Sequence, residues 1–323
     1  MGVGKVYFVG AGPGDPGLLT LKARRAIEKA DVIIYDRLIN PILLQLSKPD
    51  CKLMYVGKNP DVKYMKQEII NAIINQEVIK GQQIVRLKGG DPAIFGRLTE
   101  EIESLADTDY EVIPGITSAT AAAVYSGFPL TDREYSPHVT FATGHLQKDS
   151  VREIDFQALA KGGTLALYMG MKELSNIVRV LIDQNGESLP IAVIGHASYG
   201  YQKTVISDLC HIERAVAEEE VSHPAMIIVG DVVRCRKSDS WFERKLNFGR
   251  KILIVSETEV AIDDVLELFD DGGYYYLIDQ LTDTAHCAKY DDVHRDVLKS
   301  VVFDEISGTE SAKALLKKQF TIE

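Results

Sequence analysis

Long apolar runs are missing from this 323-residue chain, which nowhere approaches about 18 uninterrupted apolar residues, the length a membrane-spanning helix needs. Met1-Gly2-Val3-Gly4-Lys5 leads straight into a strand pattern rather than the apolar core of a signal peptide, so the expectation is a soluble, cytoplasmic chain with no membrane association. Cysteine is scarce: Cys51, Cys210, Cys235 and Cys287 form no Cys-x-x-Cys pair, and none lies at a metal-ligand spacing from histidine. Neither a disulfide framework nor a zinc site is implied, and no metal is expected. Basic clusters interleaved with aromatics are also absent, and 36 Lys and Arg face 47 Asp and Glu for a net charge of −11. Nucleic acid is therefore not an expected partner.

A dinucleotide fingerprint is lacking as well. After the apolar Val6-Tyr7-Phe8-Val9 comes Gly10-Ala11-Gly12-Pro13-Gly14-Asp15-Pro16, but the third glycine of the fingerprint would fall where Asp15 stands, and Pro13 removes a backbone N–H that a pyrophosphate would want. A second loop follows another apolar run, in Arg86-Leu87-Lys88-Gly89-Gly90-Asp91-Pro92-Ala93-Ile94-Phe95-Gly96-Arg97. Glycines at 89 and 90 let main chain approach a ligand closely, while the Asp91 carboxylate repels phosphate and suits a cation, an amine or a sugar hydroxyl. S-adenosylmethionine offers all three of those groups and no phosphate.

What is present is an alternation of strand and helix. From residue 5 to about 113 the pattern predicts strands at Val6–Val9, Val32–Tyr35, Leu53–Val56, Ile84–Leu87 and Glu111–Ile113, with helices near 17–29, 41–46, 65–80 and 98–105. Such alternation predicts an α/β domain with a largely parallel sheet, whose ligands sit outside the carboxyl ends of the strands. Both glycine loops fall there. An alanine-rich helix at 119–125 then precedes strands at Val139–Thr143, Leu165–Tyr168, Ile191–Ile194 and Met226–Val229, where antiparallel pairs can enter. The expected division is a first α/β domain at 1–115, a second at 116–236, a polar linker at 237–249 and an appendage at 250–323. From Arg250 onward 16 acidic residues face 8 basic ones, so this tail carries −8 of the net charge. Its predicted strands are Ile252–Val255, Tyr274–Ile278 and Val301–Phe303, about half of an α/β domain.

The two loops, together with Tyr35-Asp36-Arg37-Leu38, Val56-Gly57-Lys58, Pro114-Gly115-Ile116-Thr117-Ser118, Gly127-Phe128-Pro129-Leu130-Thr131, Thr143-Gly144-His145, Tyr168-Met169-Gly170, Pro224-Ala225 and Val229-Gly230, closely resemble the tetrapyrrole (class III) methyltransferases over about residues 5–236. The full Arg86–Pro92 run favours the members that act on uroporphyrinogen III. That resemblance implies two α/β domains with the cofactor cleft between them, S-adenosylmethionine as methyl donor, and C-methylation of uroporphyrinogen III at two pyrrole carbons. The product would be precorrin-2, formed through precorrin-1, for sirohaem or cobalamin synthesis, and the family is typically homodimeric.

Carried over residue by residue, the resemblance implies that Pro13, Gly89, Gly90, Asp91 and Ile94 line the cofactor cleft, closed by Thr117, Ser118, Met169, Ala197 and Ala225. It assigns proton transfer to Asp36 and Lys58. Taken alone, Asp36 after an apolar strand reads equally as a helix cap, and Lys58 as a solvated surface lysine. The eight-carboxylate substrate requires cations, for which Arg37, Lys58, Arg97, Arg133 and Lys203 are the candidates, although each alone also reads as plain surface charge.

The chain departs from the family pattern in places. Asp132 stands where histidine is usual, and Gly195-His196-Ala197-Ser198 replaces a more usual Glu-Asn-Gly-Thr. A Cβ at Ala197 narrows a site where glycine would let main chain reach the cofactor. Two alternatives therefore stay open: methylation of a later precorrin or another small acceptor, and a non-catalytic regulator that binds cofactor or tetrapyrrole. In the tail, Arg250-Lys251-Ile252-Leu253-Ile254-Val255 and the following helix resemble the opening of uroporphyrinogen-III synthase, too short a match to imply that activity.

Overall fold

The computed structural model describes residues 4–57, 66–105, 108–144, 155–156 and 160–320. It divides into two compact units, Met1–Thr117 with Arg250–Glu323 and Ser118–Gly249.

The first unit begins with β1 (Lys5–Gly10), α1 (Leu21–Lys29), β2 (Val32–Tyr35), β3 (Lys52–Tyr55), α2 (Gln67–Val78), β4 (Gln83–Lys88), α3 (Leu98–Glu103) and β5 (Tyr110–Ile113). Its strands make one wholly parallel sheet in the order β3-β2-β4-β1-β5. Alternation along each strand sends Val6 and Phe8 of β1, Val32 and Ile34 of β2 and Ile84 of β4 to one face, where they bury against Ile70, Ile74 and Val78 of α2. Two steps further along that face of β4 the residues are Arg86 and Lys88, both buried. Charges in such a position demand partners.

Two predicted helices take a different form. The stretch 17–29 breaks into a 3-10 turn at Pro16–Leu18 and then α1, because Thr20 turns extended and its Oγ1 accepts from Ala23 N at 3.1 Å as a fresh N-cap. The segment Pro41–Leu46 is likewise a 3-10 helix, capped by Asn40.

The second unit contains α4 (Ser118–Tyr125), β6 (Val139–Thr143), β7 (Thr164–Tyr168), α5 (Leu174–Asn185), β8 (Pro190–Gly195), β9 (Lys203–Asp208), α6 (Ile212–Glu218) and β10 (Ala225–Val229). The sheet order is β6-β7-β10-β8-β9, and only β6 with β7 is parallel. The antiparallel pairs anticipated among these strands are therefore present. Residues 237–249 are packed in this unit: Phe242 is buried, with its ring against Tyr125 at 4.6 Å and Phe248 at 5.4 Å.

The tail belongs to the first unit. It runs β11 (Lys251–Val255), α7 (Ile262–Leu268), β12 (Tyr274–Ile278), α8 (Thr284–Ser300), β13 (Glu305–Ser307) and α9 (Glu310–Phe320), a parallel sheet in the order β12-β11-β13. The third strand is Glu305–Ser307 rather than the apolar Val301–Phe303. The ladder starts only at Asp304, whose N donates to Lys251 O at 2.8 Å, while Phe303 serves packing by stacking on Tyr274. Docking against the Pro41–Leu46 segment is polar and specific: Gln45 Nε2 donates to Leu277 O at 2.8 Å, and Lys289 Nζ donates to Lys48 O at 2.7 Å and Ser47 Oγ at 3.0 Å.

Candidate active site

β1 and β4 end level with each other, Gly10 opposite Lys88, so the loops that follow leave the sheet side by side. They are zipped together by main chain: Ala11 N donates to Lys88 O at 2.8 Å, Gly12 N to Gly90 O at 3.2 Å and Gly90 N to Gly12 O at 2.7 Å. Gly12 and Gly90 have φ of 76° and 68°, left-handed values that glycine adopts without a Cβ penalty. A third segment joins behind β5. A Cβ on Gly10 would lie 2.5 Å from Gly115 N and 2.7 Å from Gly90 O, so three stretches of chain meet with no room for a side chain.

Asp91 locks this junction. Its Oδ2 accepts from Gly115 N at 3.0 Å and its Oδ1 from Ala93 N at 2.8 Å, while the residue stays half-buried beside half-buried Pro13, Gly89, Gly90 and Ile94. The structure thus gathers these five sequence-predicted residues at the carboxyl ends of β1 and β4, where a parallel sheet presents ligand sites. Asp15 faces inward to its own turn, accepting from Gly17 N at 2.7 Å, which accounts for the failed dinucleotide fingerprint.

The Asp36 loop is held against the same place. Gly89 abuts Leu38, whose Cβ and O would stand 2.8 Å from a Cβ at 89, and Asn40 Nδ2 donates to Gly14 O at 2.8 Å. Asp36 Oδ1 accepts from Leu38 N at 3.0 Å, and Oδ2 accepts from Arg86 Nη2 at 3.3 Å. Its cap-like turn and its chemical exposure coexist. Behind it lies a buried charge cluster: Glu101 Oε2 takes Lys88 Nζ at 2.8 Å, and Oε1 takes Arg86 Nε at 3.3 Å and Gln67 Nε2 at 3.1 Å. Burial and the neighbouring Arg86 hold the Lys88 ammonium below its ordinary pKa. Lys58 and His145 lie outside the described residues.

In the second unit the register brings other candidates to one end of the sheet. Ala225 pairs with Gly195, which in turn faces Lys203 across β9, and continuing the β7 ladder puts Met169 level with Ala225. Met169 is exposed with φ of 56°, Ala197 is buried two residues past β8, and Ser118 Oγ reaches Met226 Sδ at 3.8 Å. Thr117 closes the first unit just before α4 and is half-buried.

The candidate substrate cations are exposed. Arg37 follows Asp36; Arg97 pairs with Glu100 at 2.5 Å; Lys203 Nζ donates to Glu219 O at 2.7 Å; Arg133 lies in a turn. That turn is built by Asp132, whose Oδ1 accepts from Glu134 N and Tyr135 N at 2.8 and 3.2 Å. The aspartate at 132 thus has a local structural duty. His196 Nε2 is 3.3 Å from Ser222 Oγ, and among the described residues no group of His, Cys, Asp and Glu is arranged to hold a metal.

Sequence reasoning missed Glu101, Gln67 and Asn40. One signal was available for the first: Arg86 and Lys88, two apart on an apolar strand, point to one face and require a buried anion.

A parallel sheet in the first unit, a mixed second sheet and an acidic, phosphate-averse pair of glycine loops define a class, and the chain belongs to it: the tetrapyrrole (corrin/porphyrin) methylases, whose family model matches residues 5–213. A uroporphyrinogen-III C-methyltransferase of Priestia megaterium is 48% identical over 236 residues, covering 72% of this chain and 99% of that protein. One of Bacillus subtilis (strain 168) is 44% identical over 275 residues, covering 84% of this chain, so that match runs into the tail; the chain spans only 56% of that longer relative. Among solved structures, uroporphyrin-III C-methyl transferase from Thermus thermophilus complexed with S-adenyl homocysteine is 36% identical with a TM-score of 0.62, covering 72% of this chain and all of that one.

Proposed function

We propose that this chain transfers methyl groups from S-adenosylmethionine to two pyrrole carbons of uroporphyrinogen III, giving precorrin-2 through precorrin-1. The observation that carries the proposal is the Asp91-locked pair of glycine loops, on a chain that matches a named uroporphyrinogen-III C-methyltransferase over 99% of that enzyme's length. The loops suit the donor. They present one carboxylate and main-chain polar groups to a molecule that carries a sulfonium, an ammonium and ribose hydroxyls but no phosphate.

S-adenosylmethionine supplies a methyl group already activated by its sulfonium. The acceptor is a reduced, electron-rich pyrrole whose carbon attacks directly, so the protein contributes alignment, exclusion of water and removal of one proton as conjugation rearranges. Asp36 is the group assigned to that proton. It is a carboxylate held by Leu38 N and Arg86, with a quarter of its side chain open to solvent. Lys58 is assigned the complementary role. Arg37, Arg97, Arg133 and Lys203 are assigned to the substrate carboxylates, and Thr117, Ser118, Met169, Ala197 and Ala225 to the donor, on the strength of the family resemblance. A homodimer is proposed from the family resemblance and a cytoplasmic location from the sequence pattern; among the described residues no helix is long and apolar enough to cross a membrane.

One assay decides. The purified chain is given S-adenosylmethionine and enzymatically generated uroporphyrinogen III, and the expected product is a dimethylated dipyrrocorphin chromophore. Donor binding without any methylated product sinks the enzyme reading, and turnover only on a later precorrin replaces the substrate.

A further inference from the structure

We infer that Glu101 of α3 is a positioning residue for Asp36 and acts through Arg86. The inference rests on the reading of Asp36 as the proton-transfer group. Glu101 is fully buried, and Arg86 and Lys88 are 3% and 5% exposed. Burying three charges between the core face of β4 and α3 is costly, and apolar residues of the same volume are commonly at least as stabilising there. What the charges supply in return is direction. A guanidinium is a rigid planar fork, so fixing its Nε fixes where its Nη atoms point. Glu101 holds Nε at 3.3 Å, the carbonyls of Leu87 and Ile34 hold Nη1 at 3.1 and 3.4 Å, and Nη2 is left to meet Asp36 Oδ2 at 3.3 Å. Gln67 from α2 braces the same Glu101 oxygen at 3.1 Å, and Lys88 occupies the other. α3 thereby dictates the orientation of a carboxylate at the end of β2.

The donor loops do not depend on this brace. They are tied by the Ala11–Lys88 and Gly12–Gly90 main-chain hydrogen bonds and by Asp91 Oδ2 with Gly115 N, none of which uses a side chain of the charge cluster. Loss of Glu101 should therefore be felt in the chemical step and not in donor affinity. With Glu101→Gln in the full chain, kcat falls tenfold or more per calorimetrically active site, while the Kd for S-adenosylmethionine moves less than twofold. In the Asp36→Asn background, the same substitution costs no further kcat, because the group it orients is already gone. Multiplying losses in the double variant overturn the inference, as does an unchanged kcat for Glu101→Gln. If Asp36→Asn alone keeps wild-type kcat, the assignment of Asp36 fails first and the inference falls with it. Should Glu101→Gln not accumulate as folded protein, Lys88→Met/Glu101→Gln removes one buried charge of each sign, leaves the Arg86 and Asp36 residues unchanged and carries the same comparison.

Discussion

Acidification should loosen the tail well before it titrates the carboxylates, and His294 is the reason. This histidine on α8 is 2% exposed, with Nδ1 2.8 Å from Tyr276 Oη and its ring against Phe320 and Tyr290. Burial, followed by the nearby His286, pushes its pKa down from 6.5 to about 3, against weaker opposing pulls from Asp279 and Asp291. A depressed histidine pKa means that the folded tail excludes a proton which the opened tail takes up at about pH 6.5. Its contribution is therefore constant above that pH and is lost as pH falls toward 3. Each pH unit is worth about 1.4 kcal/mol, so the opening free energy should drop by roughly 2 kcal/mol between pH 6.5 and 5. Paired or capping carboxylates such as Asp31, Glu77 and Asp283, whose pKa values are lowered, contribute only at more acid pH, while Asp296 on α8, whose pKa burial raises, works in the opposite sense and trims the fall that His294 causes. The assay is hydrogen–deuterium exchange of the α8 amides, corrected for the intrinsic chemical rate, across that window. In His294→Phe the level shifts because Tyr276 loses a partner, but the slope should flatten. A wild-type opening free energy that stays level from pH 6.5 to 5, or an unchanged slope in His294→Phe, refutes the reasoning.

Three further outcomes follow from the geometry. Asp91→Asn keeps the shape but removes the charge that accepts from Gly115 N and Ala93 N, so the Kd for S-adenosylmethionine measured by calorimetry should rise about 10- to 100-fold, equivalent to about 1.5–3 kcal/mol. Gly115→Ala places a Cβ 2.9 Å from Gly10 Cα and closer still to Gly90 O; urea unfolding should show a loss of about 2–3 kcal/mol or more, and a midpoint within error of wild type would mean that the junction yields. Arg24→Ala breaks the Arg24–Asp263 pair, which lies at a partly exposed edge of the tail, and should change α8 exchange by less than about 1 kcal/mol; a larger effect would make that ion pair the anchor in place of Lys289 and Gln45.

Strands and the principal loops were legible in the sequence because both rest on local signals. Short apolar runs marked β1, β2 and β4, which are buried almost throughout, and Gly89-Gly90-Asp91 announced its chemistry through residue type alone. Other features depended on long-range pairing. Glu100, Glu101 and Glu103 are alike in residue type; which of them turns inward is set by the helix phase, and that phase starts from a left-handed Arg97 with φ of 55°, a conformation no residue type advertises. The last strand was assigned to the most apolar triplet, Val301–Phe303, although the backbone ladder selects Glu305–Ser307. The docking of Lys289 on Ser47 and Lys48 joins residues more than 240 positions apart, and neither end carries a motif.

The meeting of Gly10, Gly90 and Gly115 has a genetic corollary. A clash between two side chains can be relieved by trimming the neighbour, so most overpacked variants have second-site suppressors. Here the obstructing atoms are main chain, and the neighbours already carry nothing that can be trimmed. A screen for recovery of a Gly115→Ala lesion should return revertants at codon 115 and no partner substitution at codons 10 or 90.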